Sequence, residues 1–176
     1  MDDILELSRL ESGNVTVEKL PVDLNALAHG VAVSMAPVAN RSNTAILVDA
    51  KSEKAVILGD ADRMEQVLRN LLKNAIRATE NGVIRIEVAS RQSQVMLIIE
   101  DNGAGIAPED LPHIWERFYR IKNQRDEHLK EKGSGLGLVI VKKLVQLQSG
   151  EIDVASELGK GTVFRICFPA FDQRLP

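Results

Sequence analysis

Three polar residues, Asn70, Asn74 and Arg77, fall at i, i+4 and i+7 within the run NLLKNAIRAT (70–79). At about 3.6 residues per turn they share one flank of a helix. An asparagine carbonyl is a hard oxygen donor of the kind magnesium accepts, since that ion takes few protein ligands and keeps its waters. An arginine one turn further on suits a phosphate. A plain solvated face has the same composition, so the helix alone decides nothing. A second segment, DNGAGI (101–106), follows the apolar run Val95–Ile99. Asp101 stands at the strand end, where it can accept a hydrogen bond from an amino group of a base. Gly103 and Gly105 let the backbone approach a ligand closely, although Asp-Asn-Gly is also ordinary turn chemistry. The third, GSGLGL (133–138), opens an apolar helix with Gly133, Ser134, Gly135, Leu136, Gly137 and Leu138. Free N–H groups at a helix start attract anions, and glycines permit contact with phosphate. No G-x-x-x-x-G-K-[ST] loop occurs anywhere. The spacing G-x-G-x-G after a charged stretch also departs from the dinucleotide fingerprint.

Other chemistries find little support. His29, His113 and His128 are scattered, with no metal-ligand spacing to one another or to Cys167, and no serine or cysteine triad assembles. A net charge of −3 offers no basic field for nucleic acid, and 3% aromatic residues supply few stacking platforms for single strands. The lone Cys167, inside the apolar run Phe164–Phe168, reads as a buried, reduced thiol. No run approaches the ~20 apolar residues of a membrane span, and no signal peptide opens the chain. The expected setting is cytoplasmic, without direct membrane contact by this part of the chain.

With 176 residues, 44% of them hydrophobic, the chain suffices for one globular domain. Ile4, Leu5, Leu7 and Leu10 have helical spacing, stopped by Gly13 and Asn14. A lone three-turn helix is marginal in water, so this one reads either as the end of something larger or as a helix packed on its own domain. A second helix starts at the N-cap Asp23 and ends near Pro37. Ala45–Val48 and Ala55–Leu58 read as strands. Asp60 caps a long helix. Met64, Val67, Leu68, Leu71, Leu72, Ala75 and Ile76 form its core stripe, and Gly82 is its expected end. Ile84, Ile86 and Val88 alternate with Arg85 and Glu87 in a half-buried strand, which pairs with Val95–Ile99 through a turn at Arg91–Gln94. A helix is expected near Pro108. The run 121–132, charged and almost free of apolar residues, reads as a mobile loop. Helix Leu136–Leu147 and a hairpin of Glu151–Ser156 with Thr162–Phe168, turning at Glu157–Gly161, complete an α/β sandwich.

In order and spacing these segments resemble the catalytic, ATP-binding domain of bacterial sensor histidine kinases. That domain belongs to the GHKL superfamily shared with type II topoisomerase, heat-shock chaperone and mismatch-repair ATPases. NLLKNAIRAT resembles the N box, DNGAGI the G1 box, IWERFYR (114–120) the F box and GSGLGL the G2 box, and the match covers about residues 15–170. The resemblance implies a two-layer sandwich of the Bergerat type, with a mixed sheet of about five strands covered on one face by about three helices. It implies residues 1–14 as the end of a dimerisation helix, 15–172 as the catalytic domain and 173–176 as a tail. It also implies roles. Asn74 binds magnesium, supported by Asn70; Arg77 contacts phosphate; Asp101 reads the adenine amino group beside Gly103, Gly105 and Ile106. Arg120, next to Tyr119, contacts the γ-phosphate, and Phe118 anchors a lid at 119–134. Gly133, Gly135 and Gly137 form its far hinge, and Gly159–Thr162, ending in Thr162, forms the last nucleotide-facing turn.

Two departures stand out. The family often carries an aromatic residue directly after the basic N-box residue, where this chain has Ala78. The phosphoacceptor pattern is also missing around all three histidines, which implies that the acceptor lies upstream. Hydrolases of the superfamily place a glutamate about one turn before the magnesium asparagine; here that place is Asn70, and Glu65 falls on another side of the helix. Transfer of the γ-phosphoryl group of ATP to a histidine on a separate dimerisation segment, feeding a response regulator receiver domain, is therefore the favoured function. A serine/threonine kinase of the anti-sigma type and a non-catalytic, nucleotide-gated binding module are the alternatives.

Overall fold

The structure is a computed structural model, and it describes residues 2–121 and 133–172. Most of the run expected to be a loop (122–132), His128 with it, and the tail 173–176 lie outside the described residues. Helix α1 (Asp2–Glu11) is followed by β1 (Leu20–Asp23), α2 (Leu24–Asn40), β2 (Ala45–Ala50), β3 (Val56–Gly59) and α3 (Ala61–Ala78). Then come β4 (Val83–Arg91), β5 (Gln94–Asp101), α4 (Gly137–Leu147), β6 (Glu151–Glu157) and β7 (Gly161–Pro169).

Five strands form one mixed sheet in the order β2-β4-β5-β7-β6, with only β2 and β4 parallel. Alternation decides its two faces. Ile84, Ile86 and Val88 of β4 point inward with Val95, Leu97 and Ile99 of β5 and Phe164, Ile166 and Phe168 of β7. Against that face lies the apolar stripe of α3, Met64, Val67, Leu68, Leu71, Leu72 and Ala75, flanked by α2 and α4. Both long helices start where a carboxylate meets orphan N–H groups. Asp23 accepts from Asn25 and Ala26 at 2.9 and 3.3 Å, and Asp60 from Asp62 and Arg63 at 3.1 and 3.2 Å. The two-layer sandwich is the expected one.

Several local expectations fail. A short strand, β1, pairs antiparallel with β3 in a separate two-stranded sheet; four residues including Pro21 carry no alternation to announce it. Helix α2 does end near Pro37 as expected, with the proline in its last turn and Asn40 as the final helical residue. Helix α3 ends at Ala78, not Gly82, and Asn81 takes the left-handed conformation at φ 50°; asparagine tolerates that region. No α-helix starts at Pro108. Ala107 O accepts from both Asp110 and Leu111, one turn forms, and only a 3-10 helix Leu111–His113 follows. Pro112 has no N–H to extend it. Cys167 is not buried: it lies half-exposed on the outer face of the sheet, and what burial it has raises its thiol pKa.

Leu71 sits at the centre of the α3 stripe with no exposure. Leu71→Ala is expected to cost roughly 2–5 kcal/mol, read as a lower denaturant midpoint with an unchanged slope in urea unfolding.

Candidate functional site

The C-terminus of α3 and the G-rich turn after β5 meet directly. Ala104 N–H donates to Ala78 O at 2.9 Å. Gly103 lies flat against that carbonyl, where a Cβ would collide with it. Gly105 takes φ +71° with the Glu157 carbonyl pressed against its Cα, so only glycine fits. On the far side Gly159 N–H reaches Ala104 O at 2.7 Å. Helix, turn and β6–β7 hairpin thus close around one cavity of about 490 Å³.

Of the sequence-derived candidates, Asn70, Asn74 and Arg77 line this cavity from α3. Asp101, Gly105, Ile106 and Thr162 line it from the sheet end. Tyr119, Arg120, Gly133, Ser134, Gly135, Gly137 and Leu138 line it from the remaining side. Three candidates do not. Gly103 supports the wall from behind, and Leu136 is buried in the core. The Phe118 side chain is 62% exposed; its backbone, at φ 61°, packs on Gly135 and donates to Gly135 O at 3.0 Å. The inward-packing aromatic of that segment is Trp115, edge-on to Phe164 at 6.0 Å and capped by Lys142. A run holding Trp, Phe and Tyr close together does not say which ring turns in.

Asp101 ends β5 between Ile84 and Thr162, in the middle of the sheet. It is 6% exposed, and burial pushes its carboxyl up to about 6, against the pull of backbone N–H donors at Gly103 and Thr162. Ser156, absent from the motif reading, organises the hydroxyls nearby. Its Oγ accepts from Ile106 N–H at 2.8 Å and donates to Gly161 O at 2.9 Å. With that proton committed, Thr162 Oγ1 is the donor in the 2.8 Å contact with Ser156.

The opposite group is cationic. Arg77 lies against Gly133, where a Cβ would stand 2.5 Å from its guanidinium. Lys73 and Arg120 also line the cavity. Helix α4 begins there, and among the described residues no side chain caps its helical N–H groups; Ser134 Oγ accepts from Leu136 N–H at 3.2 Å. Unpartnered N–H groups beside cations form an anion site. Asp3 was not foreseen: it reaches in from α1 and accepts from Ser134 Oγ at 2.5 Å. Nothing in its sequence position marks it. Among the described residues no three His, Cys, Asp or Glu side chains converge on a metal position. The donor chemistry is instead that of amide oxygens beside an anion site, which fits a magnesium ion sharing its shell with phosphates and water.

A family model described as histidine kinase-, DNA gyrase B-, and HSP90-like ATPase matches residues 59–172. The sensor histidine kinase YclK of Bacillus subtilis is 34% identical over 165 residues, covering 94% of this chain and 34% of its own length. This chain therefore spans about a third of that relative. A structure of full-length ShkA in complex with AMPPNP superposes with a TM-score of 0.84 at 31% identity, over 99% of this chain and 36% of that one. The catalytic domain of histidine kinase ThkA does so with a TM-score of 0.74 at 30% identity, over 87% of this chain and 96% of that domain.

The buried carboxylate has a cost with a definite pH dependence. Its folded value of about 6 lies above the ordinary 3.8. The penalty is therefore full above about pH 6 and lifts as pH falls toward 4. Asp101→Asn is expected to be more stable than wild type at pH 7.5, by roughly 1–3 kcal/mol. The gap should close between about pH 6 and pH 4, as measured by denaturant unfolding across that range.

Proposed function

We propose, because this chain belongs to the histidine kinase-, DNA gyrase B- and HSP90-like ATPase family and matches the sensor histidine kinase YclK over 94% of its length and the catalytic domain of histidine kinase ThkA over 87%, that it binds ATP with magnesium. We further propose that it passes the γ-phosphoryl group to a histidine on a separate dimerisation segment. The observation that carries this reading is the convergence of Asn74, Asp101 and Gly135 on one cavity.

Each residue then has work suited to its surroundings. The Asp101 carboxylate accepts from the exocyclic amino group of adenine, with Gly105 and Ile106 as the adjoining wall and Thr162 beside it. Asn74, seconded by Asn70, holds magnesium, which neutralises charge on the triphosphate. Arg77, Gly133, Ser134 and the open start of α4 at Gly137 and Leu138 receive the phosphates. Arg120 faces the γ-phosphoryl group. A nucleophilic imidazole nitrogen attacks phosphorus; a P–N bond forms, the bond to the bridging oxygen of ADP breaks, and the imidazole loses its N–H proton to solvent. Such a step asks the protein for position and charge more than for covalent help. Water activation has less to support it, since Glu65 is paired with Arg69 at 2.8 Å and lies away from the cavity lining.

In this reading the acceptor segment belongs to the same kind of two-component protein, and a response regulator receiver domain takes the phosphoryl group onward. Among the described residues no helix is long and apolar enough to cross a membrane.

Incubating the chain with γ-labelled ATP and a dimerisation segment bearing the acceptor should put acid-labile label on histidine. Acid-stable label on serine or threonine, or tight ATP binding with no transfer, would reject the reading. Arg120→Ala is expected to slow transfer roughly 100-fold while ATP affinity falls only about threefold. Asn74→Asp, which sets a new negative charge beside the triphosphate, should weaken Mg-ATP binding itself in calorimetry. Wild-type behaviour of both variants would overturn these roles.

A further inference from the structure

A planar base gains most from a planar partner, and an aromatic ring offers one to any base. Ala78 contributes only a methyl group to the cavity wall. Among the described residues two aromatic rings, Phe164 and Tyr119, line the cavity. Phe164 is held in the core, 6% exposed and edge-on to Trp115. Tyr119 is half-buried, and its position is fixed from three directions. Its hydroxyl donates to Asp110 Oδ1. Its ring stacks on the His113 imidazole, centroids 5.3 Å apart and planes 27° from parallel. His113 Nδ1 in turn lies 2.8 Å from Glu116 Oε1, and Tyr119 N–H donates to Glu116 O at 3.3 Å.

The direction of that tether matters. Asp110 belongs to the turn closed by its N–H on Ala107 O at 3.0 Å, directly after the Gly105–Ile106 wall. The Tyr119 hydroxyl is therefore tied to the segment that continues from the Ile106 wall, while Tyr119 itself lines the cavity. The Asp110 carboxylate also raises the phenol pKa, which keeps the hydroxyl a donor.

We infer that Tyr119 is the aromatic face on which the base of the bound nucleotide stacks, a surface Ala78 cannot provide, with Asp110 and His113 as the residues that position its ring. This deepens the nucleotide reading above and rests on it.

The chain has one tyrosine, so its ring protons can be followed without ambiguity by NMR after tyrosine labelling. ATP and adenosine are each expected to move the Tyr119 ring protons upfield, and inorganic tripolyphosphate to leave them in place. Tyr119→Leu should weaken ATP and adenosine binding roughly tenfold, with tripolyphosphate affinity unchanged. Adding Ala78→Tyr to Tyr119→Leu should restore most of the adenosine affinity. Asp110→Ala should shrink the upfield shift while tripolyphosphate still binds as in wild type. The inference is overturned if wild type binds ATP but the ring protons respond alike to ATP and tripolyphosphate, or if Tyr119→Leu binds adenosine as wild type does. Failure of wild type to bind ATP at all would instead reject the nucleotide reading.

Discussion

A single backbone hydrogen bond, Ala104 N–H to Ala78 O at 2.9 Å, carries much of the site's geometry. It satisfies a carbonyl left open at the end of α3, and it does so with the turn that follows the central strand of the sheet. One element brings amides and a guanidinium on its flank; the other brings a buried carboxylate. Neither makes a pocket alone. The contact requires Gly103 because the helix carbonyl occupies the place of a Cβ. The glycine spacing thus reflects how closely two backbones must approach, with loop flexibility secondary.

The cavity so formed is divided in charge. Asp101 is held by the sheet among hydroxyls and N–H donors, desolvated enough to raise its carboxyl to about 6. Arg77, Arg120 and the open start of α4 sit around the glycines at 133–137. That division complements a ligand with a hydrogen-bond donor at one end and an anionic group at the other. Burying a carboxylate at the end of the central strand costs stability, as an apolar residue there would not.

Most of the architecture was legible because it follows from periodicity. The α3 stripe, the alternation in β4 and the caps Asp23 and Asp60 each arise from local residue pattern, and each appears in place. Of the cavity lining, Asn70, Asn74, Arg77, Asp101, Gly105, Gly133 and Gly135 were legible because glycine and polar spacing in their segments is dense, whereas Gly103 and Leu136 in the same segments lie behind the lining. What could not be read were contacts between segments distant in the chain. Ser156 looks like any strand serine until it meets Ile106 fifty residues away. Asp3 lies in a helix whose partner surface is known only after folding, and β1 pairs through four residues with no alternation. The turn at Asn81 and the missing helix at Pro108 failed for a different reason: local signals were present, but the docking of Ala104 on Ala78 and the second proline at 112 overrode them.

Helix α1 shows how apolar and ionic contacts divide the labour at the edge of the site. Leu7 and Leu10 are 4% and 8% exposed against the body, while Ile4 and Leu5 remain exposed. Along the buried flank Asp3 meets Ser134, Glu6 meets Arg63 and Gln66, and Glu11 meets Arg117 and Lys143. Half-exposed ion pairs of this kind contribute at most about 1 kcal/mol each, too little to hold a helix that is marginal alone. The two leucines therefore supply most of the attachment. What the charges set is rotation: turning α1 by one residue would move Asp3 off Ser134 and Glu11 off Arg117 together. Through Asp3 and Ser134 the helix reaches the cavity lining itself.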